Sequence, residues 1–176
     1  VLLALGEAPV STIPKPLDQL YSAHNAMVFR TAHRITGNAE DAEDVLQTVF
    51  LRLLKRDDLS EIDNPESYLR RSAVNAALDI VRARQADNTL ELERMPASGS
   101  CTELRDLRDT LRRALAKLPD RTAEMFALRF FEGYTNPEIA KIMGLSQIVV
   151  AVTVHRTRKK LQEELKKQDH RKGAAQ

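Results

Sequence analysis

Apolar residues recur every three or four positions through most of this chain, and the breaks between runs carry glycine, proline or helix-capping residues, so the pattern predicts helices throughout. After Pro16, the residues Leu17, Leu20, Tyr21, His24, Met27, Val28 and Ile35 share one face, and Gly37 ends the run. Asn38 and Asp41 have the spacing of a cap pair for a second helix, whose inward set is Val45, Leu46, Val49, Phe50, Leu53 and Leu54. The first turn of that helix is acidic, as the helix dipole favours. Asn64-Pro65-Glu66 is a helix start, and Tyr68, Leu69, Ala73, Ala76, Ala77, Ile80 and Val81 follow it to an end near Gln85. Beyond Ala86–Cys101, a stretch of mixed polarity with Pro96 and Gly99, a helix is predicted from Thr102 to Leu118. A break at Pro119-Asp120 precedes another from Arg121 to Phe131, which Gly133 terminates.

Thr135 to Arg158 then gives a short helix, a tight turn and a longer basic helix. Thr135 and Glu138 are spaced as a capping box, and Pro137 suits the first turn. Ile139, Ala140, Ile142 and Met143 supply a packed face, and Gly144 sits where a left-handed helix end is needed. Ser146 can cap the next helix, which turns Val150, Val154, Leu161 and Leu165 inward. This is the layout of a helix-turn-helix, whose second helix is free to enter a DNA groove. An ordinary helical hairpin has the same spacing. The basic run Arg156, Arg158, Lys159 and Lys160 favours the DNA reading.

The fold class expected is therefore all-α: two small helical domains joined by a linker. The boundaries are a lead at 1–16, a first module at 17–85, a linker at 86–101, a second module at 102–167 and a charged tail at 168–176, the lead and tail expected to be flexible. A hydrophobic content of 43% suffices for real cores, and 5% aromatics with no Trp suits small bundles. The net charge of +2 hides an asymmetry that changes the picture. Residues 106–176 hold 15 Lys and Arg against 9 Asp and Glu, whereas residues 1–87 hold 10 against 13. A basic end fits phosphate contact, and a mildly acidic front fits a protein partner.

Catalytic chemistry is not expected. Cys101 is alone, which excludes a disulfide framework and a cysteine-based zinc site and favours an intracellular, cytoplasmic setting. His24, His33, His155 and His170 lack ligand spacing, Asp57 and Asp58 read as loop acids, and no phosphate-binding glycine loop occurs. No apolar run reaches transmembrane length, and Val1–Leu5 is too short for a signal peptide. Neither an enzyme activity, a cofactor nor a metal is expected.

Three segments together carry a resemblance: DAEDVLQTVFLRLLKR (41–56), NPESYLRRSAVNAALDIVRAR (64–84) and LPDRTAEMFALRFFEGYTNPEIAKIMG (118–144). In this order and spacing they resemble bacterial RNA polymerase sigma factors, in the small extracytoplasmic-function (ECF) group of the sigma-70 family, which keeps only domains two and four. The resemblance implies a promoter-specificity subunit that binds core polymerase and recognises −10 and −35 elements. Its implied partners are the clamp helices of the largest polymerase subunit, the flap of the second largest, promoter DNA and, as a regulator, an anti-sigma factor.

Laid over this chain, the resemblance implies polymerase docking through Asp41, Glu43, Asp44 and Gln47. It implies that residues 64–84 read the −10 element as a single strand, with one base flipped into a pocket under the loop at about 58–63. Asn75 matches the base-reading amide, Asp79 lies one turn later, and Arg70, Arg71, Arg82 and Arg84 are phosphate candidates. Tyr68 offers a stacking face, although a tyrosine here also suits a core. For the −35 element the candidates are Gln147, Val149, Val152, His155, Arg156, Arg158 and Lys159. Here the chain departs from the family pattern: Ile148, Val149, Ala151 and Val152 stand where small, polar or basic residues are usual. Those valines suit thymine methyl groups or a protein surface. Two other functions compete: a stand-alone helix-turn-helix regulator, for which residues 41–84 have no use, and a sigma-like decoy that binds a regulatory protein.

Overall fold

The computed structural model describes residues 15–56, 59, 62–90 and 102–173, and these hold seven helices and no strand. The helices are α1 (Lys15–Thr36), α2 (Ala39–Leu54), α3 (Pro65–Leu90), α4 (Thr102–Ala116), α5 (Asp120–Phe130), α6 (Asn136–Met143) and α7 (Gln147–Gly173). The all-α expectation holds. The lead at 1–14 and residues 91–101 of the expected linker lie outside the described residues.

Local chemistry sets the helix ends. Gly37 takes φ +83° after α1. Asn38 caps α2: its Oδ1 accepts the Asp41 backbone N–H at 2.8 Å, and its Nδ2 donates to Asp41 Oδ2 at 2.8 Å. Asn64 Oδ1 accepts the Ser67 backbone N–H at 2.9 Å and starts α3. In α6 both halves of the capping box form, and Gly144 at φ 65° provides the left-handed end. Ser146 Oγ accepts the Val149 backbone N–H at 3.3 Å at the head of α7.

Three helix ends differ from the sequence expectation. α3 continues to Leu90, past Gln85, because no glycine or proline intervenes to stop it. α4 ends at Ala116 rather than Leu118, since the residue before Pro119 is disfavoured in the helical region. α7 runs to Gly173, through a segment composed of helix-favouring Lys, Glu and Gln.

Helices α1, α2 and α3 pack around Val28, Ile35, Val45, Val49, Leu53, Leu69, Val74 and Leu78. Helices α4 to α7 enclose Leu115, Leu128, Ile139 and Val150. The two groups do not stand apart: α3 packs on α4 and α5, and the buried apolar residues form one connected cluster. Tyr21 and Leu54, expected inward, are exposed instead. With Leu51 they leave exposed apolar surface on α1 and α2.

Candidate nucleic-acid and polymerase interface

The α2 candidates divide. Glu43, Asp44 and Gln47 are exposed. Glu43 and Gln47 border an open groove of about 590 Å³ between α1 and α2, with Tyr21, Asn25, Phe29 and Leu46 on its walls. Asp41, also expected in the docking set, is different. It is buried, it completes the Asn38 cap, and its Oδ1 accepts from Arg84 Nη2 at 2.7 Å. Its carboxylate is held inside the first module, and the Arg84 side chain that meets it is about half exposed.

On α3, the spacing of Arg71, Asn75, Asp79 and Arg82 places all four along one face. Arg71 and Asn75 on that face turn against the second module, whereas the Asp79 side chain is 63% exposed. Arg71 Nε donates to Glu124 Oε1 at 2.5 Å, and Asn75 Nδ2 donates to the same oxygen at 3.2 Å. Arg71 Nη1 also reaches the Ile142 carbonyl at 3.3 Å. Arg82 lies 3.5 Å from Asp79 and 3.1 Å from Asp120. Arg70 bridges Glu66 at 2.8 Å and Glu132 at 2.7 Å. Burial disfavours the charge on Arg70, but its hydrogen bonds to Glu66 and Glu132 outweigh this and the net shift is upward. Arg70 in turn holds the Glu66 carboxyl below its ordinary value, through a hydrogen bond first and its charge second.

Two further arginines tie the modules. Arg34 Nη1 donates to the Phe131 carbonyl and to Glu132 Oε1, each at 3.2 Å. Arg112 Nε donates to the Ile35 carbonyl at 2.9 Å, and a Cβ at position 37 would land on its guanidinium, so Gly37 serves both the turn and this contact. Burial raises the Tyr134 pKa, with Ser67 and Arg70 of α3 pulling it the other way.

Beside this face is a pocket of about 280 Å³, at the junction of Ile62, Asp63 and the first turns of α3. Arg56, Asn64, Ser67, Tyr68 and Arg71 line it, and Ile142 of α6 closes one side. Tyr68 is half-buried with the Arg56 guanidinium 5.4 Å from its ring centre, so it is neither a plain core residue nor a free stacking face.

In α7 the inward stripe forms over most of its expected length, and Leu165 is partly buried. Val150, Val154, Thr157 and Leu161 are buried. Gln147, Val149, Val152, His155, Arg156, Arg158 and Lys159 are all exposed. Ile148 is 76% exposed, so the outward face begins apolar and ends basic. Sequence reasoning missed Glu124, Glu132, Arg34 and Arg112. Glu124 carried a signal: a carboxylate inside the apolar run AEMFAL must find a partner when that run is buried. Among the described residues no cluster of His, Cys, Asp or Glu could hold a metal ion, and no single helix is long and apolar enough to cross a membrane.

The fold and these faces define a two-module helical protein with a helix-turn-helix in its second module. Residues 20–86 match the family description Sigma-70 region 2, and residues 108–161 match Sigma-70, region 4. The RNA polymerase sigma-E factor of Streptomyces avermitilis is 30% identical over 81% of this chain and 80% of its own length. The ferric citrate uptake sigma factor FecI of Escherichia coli is 30% identical over 81% of this chain and 86% of its own. The ECF RNA polymerase sigma factor SigE of Mycolicibacterium smegmatis is 29% identical over 85% of this chain but only 62% of its own length. A co-crystal structure of the sigma factor RpoE with the anti-sigma factor NepR from Bartonella quintana shares the fold at a TM-score of 0.52. It is 21% identical and covers 87% of this chain and 98% of that one. The chain belongs to the sigma-70 family of RNA polymerase sigma factors, in its ECF group.

Proposed function

We propose that this chain binds core RNA polymerase through the α1–α2 surface, captures the −10 element as a single strand on α3, and reads the −35 duplex with α7. The observation that carries this reading is the pairing of two different readers in one chain. α3 bears an amide and several guanidinium groups along one face beside a small pocket, chemistry suited to an unstacked base and its phosphates. α7 projects an exposed face opposite its buried stripe, as a major-groove helix requires. A stand-alone duplex regulator has no use for the first reader.

The docking set is Glu43, Asp44 and Gln47, with the groove beside them and the exposed apolar side chains of Tyr21, Leu51 and Leu54. The −10 set is Arg70, Arg71, Asn75, Asp79 and Arg82, the pocket receiving the flipped base. The −35 set is Gln147, Val149, Val152, His155, Arg156, Arg158 and Lys159. No step in this reading is catalytic: capture of unpaired bases drives melting, performed with the polymerase in the cytoplasm. The regulator fitting this family is an anti-sigma factor, which the fold shared with the RpoE–NepR complex supports. The test is co-elution of the chain with core polymerase, followed by retention of promoter fragments from a genomic library. Retention only with both components present supports the reading, and promoter capture by the chain alone favours the stand-alone regulator.

A further inference from the structure

Arg70, Arg71 and Asn75 of the −10 set already have partners in the second module, while Asp79 is exposed and Arg82 Nη2 makes no hydrogen bond. Arg71 and Asn75 share one oxygen of Glu124, Arg70 is paired with Glu132, and Arg82 lies beside Asp120. All three acids come from one short segment of the second module, α5 and the turn after it. Glu124 is buried, and the Glu132 side chain is fully buried between Arg34 and Arg70. A guanidinium that pairs with a carboxylate cannot pair with a phosphate in the same place. An amide that donates to Glu124 cannot offer that hydrogen to a base edge. Ile142 of α6 closes one side of the base pocket, and its carbonyl takes a hydrogen bond from Arg71.

The other two working surfaces are open in the same arrangement. Glu43, Asp44 and Gln47 are exposed, and so are Gln147, Val149, Val152, His155, Arg156, Arg158 and Lys159 of α7. The packing therefore covers one of three surfaces, and covers it with carboxylates placed where phosphates and a base edge would go.

We propose that Glu124 and Glu132 act as built-in stand-ins for DNA, so that the packed arrangement is a self-masked form in which the −10 helix is closed while the polymerase-docking and −35 faces stay open. This rests on the −10 reading of α3 given above. Desolvation offsets much of the attraction in such buried ion pairs, so the lock is releasable rather than permanent. Polymerase needs only to bind the separated arrangement better than the packed one to open it. Capture of the −10 strand then follows polymerase binding and does not precede it.

The experiment uses the full chain and two pairs of substitutions. Glu124→Gln with Glu132→Gln removes the stand-in charges. Arg34→Ala with Arg112→Ala removes the other interdomain ties without touching an assigned DNA reader. That second pair also loses positive charge, so a simple electrostatic effect would weaken DNA binding. Helicity by circular dichroism, radius of gyration by X-ray scattering, and affinity for short fluorescent DNA of random sequence, single-stranded and duplex, are measured for each. Both pairs are expected to keep their helicity, to widen, and to bind single strands about tenfold more tightly than the parent, the gain expected if about one molecule in ten is open at rest. Duplex affinity should not rise, and adding Asn75→Ala and Arg71→Ala should cancel the gain. A parent that already binds single strands as tightly as the widened variants overturns the masking but leaves the −10 assignment standing. Widened variants that bind no better than a non-binding parent overturn the −10 assignment, and the masking with it. Variants that neither widen nor gain show that these groups do not hold the modules, and the proposal falls.

Discussion

Asn75 Nδ2 donates to Glu124 Oε1 across the junction of the two modules, at 3.2 Å. The residue matched to base reading in the first module thus has its hydrogen-bonding capacity engaged by a buried acid of the second. Asn75→Ala removes the amide from both settings. The alanine variant should lose about 1–3 kcal/mol of discrimination at one base of the −10 element, the range for a good side chain–base pair. Selection of a randomised −10 library by polymerase carrying parent or variant measures this. The same enriched base from both would remove Asn75 from the reading set.

On α2, neighbouring acids should behave in opposite ways. Glu43→Lys with Asp44→Lys should weaken core polymerase binding and leave helicity unchanged, because both side chains are exposed. Asp41→Ala should instead cost about 1–2 kcal/mol of stability, from the lost cap contact and an ion pair whose Arg84 partner is half in water. Urea denaturation and a polymerase pull-down separate the two effects. An Asp41 variant that keeps its stability but fails to bind polymerase would restore Asp41 to the docking surface.

The outward face of α7 should read DNA in an unusual balance. Val149 and Val152 are 47% and 41% exposed at its apolar beginning, and its cations follow from Arg156. Arg156→Ala should weaken −35 duplex binding broadly and flatten its salt dependence, whereas Val152→Ser should alter preference at a thymine. Titrations on duplexes containing thymine or uracil, across a salt series, test both. If Val152→Ser and removal of the methyl groups each leave binding unchanged, the apolar face serves a protein partner instead.

The capping box of α6 sets the entry to the helix-turn-helix. The Thr135 backbone N–H donates to Glu138 Oε2 at 2.7 Å, and the Thr135 hydroxyl donates to the same oxygen at 2.6 Å. Thr135→Ala should cost about 1 kcal/mol of stability. These hydrogen bonds hold the Glu138 carboxyl below the ordinary value of 4.5, so its contribution is fully present above that pH. It is lost as pH falls through the lower folded-state value. Thermal melts of parent and Glu138→Gln should therefore differ at neutral pH and converge in acid. A constant difference between them would break the assignment.

Much of this was legible in the sequence because it is local. Asn38, Asn64, Thr135, Gly144 and Ser146 set helix ends through contacts within a few residues, so spacing alone locates them. The outward set on α7 follows from helical period once Val150 and Val154 are placed inward. What spacing cannot carry is pairing between distant segments. Asp41 and Arg84 are 43 positions apart, and Arg71 and Glu124 are 53 apart, so nothing in the periodicity of either segment names the other. Which apolar positions stay uncovered is hidden from the sequence for a related reason. Tyr21 and Leu54 are apolar at positions of the right phase, yet among the described residues nothing buries them.

Transcription from a defined start point tests the central claim most directly. The purified chain is added to core RNA polymerase with a library of promoter fragments, and the 5′ ends of the transcripts are mapped. The expected result is a discrete set of start sites, absent without the chain, that share one −10 and one −35 sequence at fixed spacing. Asn75→Ala should change the −10 preference, and Arg156→Ala should lower all starts together. Start sites unchanged by adding the chain, or a set sharing a −35-like duplex motif but no −10 motif, would contradict it.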